Sequence, residues 1–251
     1  MPSAKTARRR PGVGEVLDRL RRRGSRRNVE GMARYGIAPK KAFGVPAPAM
    51  HAIARRAGKD HRLALGLWRT GVHDARILAC LVAEPDRLTR RQAERWALDF
   101  DSWALCDTCC MHLLDRTPYA LELVESWAVR EAEYVRRAAF ALIASLAVHD
   151  KQLPDAQMRK FLRIIRRGAD DPRPMVRKAV NWALRQIGKR NLALNAAAVD
   201  VAAGLKARTS AAARWIGSDA HRELTSPAVA RRLRDRARRT SGTRAGASPR
   251  T

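Results

Sequence analysis

The sequence predicts an all-α chain arranged as a curved solenoid of helical repeats with a basic concave face. Three observations lead there. Apolar residues recur with the i, i+3, i+4, i+7 spacing of amphipathic helices along nearly all of the 251 residues, and no stretch shows convincing strand alternation. Two segments are copies of one template: Val135-Arg-Arg-Ala-Ala-Phe-Ala-Leu-Ile-Ala-Ser-Leu matches Val176-Arg-Lys-Ala-Val-Asn-Trp-Ala-Leu-Arg-Gln-Ile at an offset of 41 residues. Lys and Arg total 51 against 24 Asp and Glu, a formal charge of +27, which speaks of a polyanionic partner rather than of a fold.

The elements follow in order. Helices are predicted over 13–23, stopped by Gly24; 28–35; 46–57, between Pro46 and Gly58; 60–70, stopped by Gly71; and 73–83, whose Asp74-Ala-Arg-Ile-Leu-Ala-Cys-Leu is a weaker third copy of the template. The next are 87–99, 101–115, 117–128 (opened by Pro118), 131–148 (the first full copy) and 154–167, between Pro154 and Gly168. The last are 172–188, the second copy between Pro172 and Gly188, then 192–205, 208–223 and 226–238. Proline suits a first helical turn, where its missing N–H is no loss, and glycine suits the position where a helix stops. The core stripe Val135, Ala138, Ala139, Leu142, Ile143 and Leu146 coincides with Val176, Ala179, Val180, Ala183, Leu184 and Ile187. A period near 40 with two helices per unit is the signature of a HEAT-like α-solenoid, in which one helix of each pair lines a concave surface. The expected organisation is a single solenoid domain over 13–238, flanked by basic tails at 1–12 and 239–251 whose Arg, Ser, Thr, Gly and Pro composition predicts disorder.

Composition excludes several classes. Four cysteines, three of them packed as Cys106, Cys109 and Cys110, fit reduced thiols and not a disulfide framework. No apolar run approaches a membrane span, and the basic N-terminus lacks the apolar stretch of a secretory signal, so the expected location is cytoplasmic, without membrane association. Residues 1–27 and 230–251 hold much of the excess charge, yet +12 remains on the residues between them. GC-rich codon usage alone would also enrich Arg and Ala, more plausibly in the tails than in the body.

Trp182 is the most informative residue of the repeat. At about 100° per residue it falls well off its helix's apolar stripe, with Lys178 one turn before it and Arg185 close after it. An outward indole framed by cations suits an anionic ligand with an apolar face, and nucleic acid is one. The second informative stretch is Asp101-Ser-Trp-Ala-Leu-Cys-Asp-Thr-Cys-Cys-Met-His-Leu-Leu. Trp103 and Asp107 lie four residues apart, stacked on one helix face and displaced from the stripe of Leu105, Cys106, Cys109 and Leu113. A carboxylate beside an indole and apolar neighbours is expensive unless it meets a cation. Two readings stand: an Asp that pairs with an Arg of the next repeat or caps it, and an Asp that works on a ligand.

Taken in order, Met32-Ala-Arg-Tyr35, Ser102-Trp103-(x)3-Asp107, Val135-(x)-Arg137-Ala-Ala and Lys178-Ala-(x)2-Trp182 resemble the AlkD-type DNA alkylation-repair glycosylases. The resemblance spans about residues 28–190. It implies hydrolysis of the N-glycosidic bond of cationic alkylated purines, of the 7-methylguanine and 3-methyladenine type, in double-stranded DNA. It further implies Asp107 as the catalytic carboxylate, Trp103 and Trp182 as aromatic walls around the lesion deoxyribose, Arg137 as a phosphate contact and Tyr35 as a cleft residue. Lys178 and Arg185 join the DNA-binding set through their places beside Trp182. The chain departs from some relatives in placing Ser102, not an aromatic, before the Trp, and in the spacing of its later motifs. A cationic purine leaves without protonation, so the chemistry calls for a carboxylate that stabilises charge developing on the sugar and orients water, with no cofactor. The resemblance implies an open cleft in which the base is not enclosed, and a monomer with no obligate protein partner.

The remaining features carry less. Cys106, Cys109, Cys110 and His112 lie on one helix and cannot close a tetrahedron, so no metal site is expected and the cysteines read as core. Trp68, Trp96 and Trp127 read as core, Trp215 as either core or cleft, and the six scattered His form no nucleophilic triad. Two non-enzymatic readings remain open: a HEAT-like protein that binds DNA without cleaving it, and a solenoid scaffold for an acidic protein partner.

Overall fold

The computed structural model describes residues 11–245; of the tails expected at 1–12 and 239–251, residues 1–10 and 246–251 lie outside the described residues. Those described form fourteen α-helices and two short 3-10 turns, with no strand among them. Each of the fourteen segments predicted from periodicity holds a helix, with ends within about one turn except the last, which runs on to Ala245. None of these helices is long and apolar enough to cross a membrane. The chain groups into two compact units, residues 1–118 and 119–251.

The first unit contains α1 (Val13–Arg23), α2 (Arg26–Ala33), α3 (Ala47–Ala57), α4 (His61–Arg69), α5 (His73–Val82), α6 (Arg90–Leu98) and α7 (Trp103–His112). Helix α5 is the hub, packing on α3, α4 and α7. Its core face (Ala75, Leu78, Ala79, Val82) is buried, as are Leu63 and Leu67 of α4. Trp68 and Trp96 read as core from sequence, and they stack face to face, centroids 3.9 Å apart and planes 2° from parallel. The Trp68 indole N–H donates to Asp99 at 2.7 Å, and the Arg76 guanidinium lies over the same ring. Asp74 is buried at the start of α5, where its carboxylate accepts backbone N–H bonds from Phe43 at 2.6 Å and Val45 at 2.8 Å, clamping the loop before α3. That loop turns through Gly44 at φ +74, where an added Cβ would lie 2.6 Å from the Ser25 carbonyl oxygen, so only glycine fits.

The second unit contains α8 (Ala120–Trp127), α9 (Glu133–His149), α10 (Asp155–Gly168), α11 (Pro174–Gly188), α12 (Leu192–Lys206), α13 (Ala211–Leu224) and α14 (Pro227–Ala245). The two template copies are α9 and α11. They pack directly on each other, and every residue of the shared stripe is buried on both. Helix α13 packs on α11 and α12 in turn, the nearest-neighbour stacking of a helical repeat. Gly168 ends α10 against the ring of Phe140, which an added Cβ would approach to 2.3 Å; the close approach of the two helices needs the missing side chain.

The predicted start of α11 needs correction. Pro172 lies in the preceding loop, and the first-turn proline is Pro174. The Asp171 carboxylate accepts the Arg173 backbone N–H at 3.0 Å and its guanidinium at 2.6 Å, which holds the chain in a turn for two more residues. Opposing effects act on this carboxyl: burial pushes it up, but the Arg173 bonds and the Arg136 charge hold it below the ordinary carboxylate range.

Candidate active site

Helix α7 begins at Ser102, whose side chain accepts the Leu105 backbone N–H at 3.4 Å, so the serine found where some relatives carry an aromatic is the helix's N-cap. The helix buries Leu105, Cys106, Cys109 and Cys110 and leaves two neighbouring ridges partly exposed. One carries Trp103 and Asp107, the other Ala104, Thr108 and His112. Trp103 and Asp107 are both half-buried, as their place beside the stripe predicts.

Trp103 is fixed by a bond that the sequence does not announce. Its indole N–H donates to the backbone carbonyl of Tyr35 at 2.7 Å, across 68 residues of chain. Tyr35 sits in the turn that closes α2, with its own N–H on Met32 and the following Ile37 N–H on the same carbonyl. The Tyr35 ring is 71% exposed. The first unit thus brings three predicted site residues together: the indole, the carboxylate one turn on, and the tyrosine whose main chain pins the indole. The four cysteines are buried thiols, none of them in a disulfide. Burial pushes the Cys110 thiol well above its usual value, a bond to Cys106 adds to this, and the negative charge of Asp107 works in the same direction. Such thiols are inert core groups. Among the described residues, no cluster of three or more His, Cys, Asp or Glu side chains is placed to hold a metal ion.

The second unit carries the other predicted residues. On α11, Lys178 is exposed, and Trp182 and Arg185 are half-buried. Arg185 is engaged within the protein: its guanidinium lies 2.5 Å from Glu223 and 3.7 Å from Asp219, both on α13, and Lys189 reaches the other Glu223 oxygen at 2.8 Å. Burial alone would raise the Glu223 carboxyl, but the bonds from Lys189 and Arg185 keep it below its ordinary value. Asn181 beside Trp182 is buried and donates to Asp219 at 2.7 Å, which ties the same two helices together.

Arg137 departs furthest from expectation. It occupies the template position of Lys178 but is only 6% exposed, and it donates to the Met175 carbonyl at 2.6 Å in the first turn of α11. The residue expected as a phosphate contact is thus buried and bonded to the main chain of the neighbouring template helix. Trp215, unresolved between core and cleft, is 39% exposed, with the Arg177 guanidinium 4.7 Å from its centroid. Sequence reasoning missed Asp219 and Glu223; their i, i+4 spacing on α13 was the available signal, but only the packing shows that they face Arg185.

Known proteins can be set beside this geometry. Residues 16–224 match the family described as "DNA alkylation repair enzyme". No curated protein matches the chain closely in sequence. One of the solved structures that match does so with a TM-score of 0.71 at 20% identity, covering 85% of this chain and 96% of its own; it is described as "a new family of proteins related to the HEAT-like repeat DNA glycosylases with affinity for branched DNA structures". At that identity the likeness establishes the fold, a HEAT-like helical repeat.

Proposed function

Because the chain belongs to the DNA alkylation repair enzyme family over residues 16–224, we propose that it hydrolyses the N-glycosidic bond of cationic alkylated purines in duplex DNA. The observation that carries the reading is the Trp103–Asp107 ridge on α7, partly open to solvent, with the indole locked by the Tyr35 carbonyl. A carboxylate next to a fixed aromatic face is what a sugar acquiring positive charge requires. The carboxylate stabilises the oxocarbenium-like centre and orients the attacking water, and the ring face attracts the polarised C–H groups of the sugar. Trp182 and exposed Lys178 on the second unit supply an aromatic surface and a phosphate contact. Arg137 and Arg185 serve the framework on which those residues stand.

A second reading draws on the structural neighbour, whose description stresses affinity for branched DNA and not catalysis. On that reading the chain binds DNA without releasing a base. One assay separates the two: incubation with methylated duplex DNA, followed by measurement of free 7-methylguanine and 3-methyladenine. Release that disappears in Asp107→Asn supports the glycosylase. No release from the wild-type protein, with tight binding to junctions, supports the binding protein.

A further inference from the structure

The first unit carries a half-open cavity of about 460 Å3, within the size range of small-molecule sites. It is built by the loop before α3 and by α2, α3, α5 and α7. The contribution of α7 is the Ala104–Thr108–His112 ridge, which adjoins the Trp103–Asp107 ridge on the same helix. Neither Lys nor Arg lines it, although the chain carries 51 of them. An anionic ligand would find no counter-charge there. The walls are chiefly aliphatic, with two thioethers, Met32 and Met50, and an edge-to-face pair of imidazoles, His51 and His112, at 6.1 Å. Thioether sulfur and ring edges both favour a flat aromatic guest.

Of the polar side chains in the wall, His73 is the buried imidazole. It lines the cavity, is 6% exposed, and its Nδ1 is sealed from solvent with no hydrogen-bond partner; an Asp101 carboxylate oxygen stands 4.0 Å away. Burial lowers the affinity of this ring for a second proton, which favours the neutral imidazole. Asp74, also in the wall, already spends its oxygens on the loop amides of Phe43 and Val45. The site therefore offers apolar contact and a buried imidazole, with no Lys or Arg to counter an anion.

From this we infer that the cavity binds a neutral, planar nitrogen heterocycle, and that its occupant is the alkylpurine released by the reaction proposed above. The identity of the occupant rests on that reading. When the bond between the sugar and the base breaks, the electron pair goes to the base and cancels its charge, so a cationic lesion departs as a neutral purine. A largely apolar cavity with no Lys or Arg in its wall, one ridge away from Asp107, suits that product.

The test is calorimetric titration of free 7-methylguanine and 3-methyladenine into the full chain, with indole as an apolar control. The expected result is saturable 1:1 binding of the purines, weakened at least tenfold by Ile77→Trp, which fills the space, and by His73→Phe, which keeps the ring but removes its nitrogens. Ala104→Leu obstructs the cavity from α7 and replaces Ile77→Trp if that variant fails to melt cooperatively. Excision of lesions by a protein that binds no free purine overturns the cavity assignment and leaves the glycosylase reading standing. Purine binding with no excision supports the cavity and removes the glycosylase reading. Indole binding as tightly as the purines, and equally in His73→Phe, would mean an unspecific apolar pocket and overturn the inference.

Discussion

Arg137 and Lys178 share a template position 41 residues apart, and replacing each with Ala separates framework from DNA contact. Arg137→Ala removes a charge-assisted hydrogen bond from a guanidinium only 6% exposed and leaves the Met175 carbonyl without that donor at the start of α11. A hydrogen bond involving a charged group contributes about 1.5–3 kcal/mol. In a chain of this size each kcal/mol shifts the melting temperature by roughly 2–4 °C, so the variant should melt about 3–12 °C lower. Lys178 is exposed and no partner is seen to hold it in place, so Lys178→Ala should leave melting within about 1–2 °C of wild type. DNA binding should show the opposite order. Loss of one phosphate contact reduces the slope of log K against log salt by about 0.9, roughly a threefold change in affinity ratio between 50 and 200 mM salt. That change belongs to Lys178→Ala. Differential scanning fluorimetry and fluorescence anisotropy over a salt series measure both quantities. An Arg137→Ala protein with unchanged melting and a slope reduced by one contact would refute the assignment of Arg137 to the framework.

Three further outcomes can be checked. Asp107→Asn should retain duplex affinity and lose about 10²–10³ in single-turnover base release, the scale of one preorganised electrostatic group; release at the wild-type rate would make Asp107 structural. Trp182→Ala should destabilise by less than the ~3–5 kcal/mol of a fully buried Trp, because Trp182 is half-buried, and should reduce excision more than affinity for undamaged DNA; a collapse in melting temperature would place it in the core. Glu223 is held below its ordinary carboxyl value, so its contribution is fully present above that value and is lost as pH falls through the folded one. Glu223→Gln should therefore narrow the gap in melting temperature between neutral pH and about pH 3, and an unaltered gap would show that the Arg185–Glu223–Lys189 cluster is not linked to folding.

Periodicity revealed what each helix does with its own faces. The α9 and α11 stripes are buried at every position that the template marks, and Trp182 lies off the stripe and half-buried, because these properties follow from 3.6 residues per turn alone. What the next helix lays over a given face was not legible. Arg137 and Lys178 share a template position in sequence, and only the packing shows that the first is buried and bonded to the Met175 carbonyl. The same limit applies to Arg185, whose acidic partners lie 34–38 residues downstream, and to Trp103, whose partner is a main-chain atom 68 residues upstream. Pro172 misled for a local reason: two prolines flank Arg173, and the Asp171 turn decides which of them starts the helix.

The bond between Trp103 and residue 35 runs to a carbonyl oxygen, a group that every amino acid possesses. Substitution at position 35 therefore leaves the anchor of the indole chemically unchanged, provided that the turn after α2 keeps its shape. The phenol ring, turned outward, has no part in that anchor. Position 35 is in this sense exchangeable: a library of residues there varies an exposed side chain while the Trp103–Asp107 ridge stays registered, so on the proposed reading affinity and rate can be tuned on separate axes.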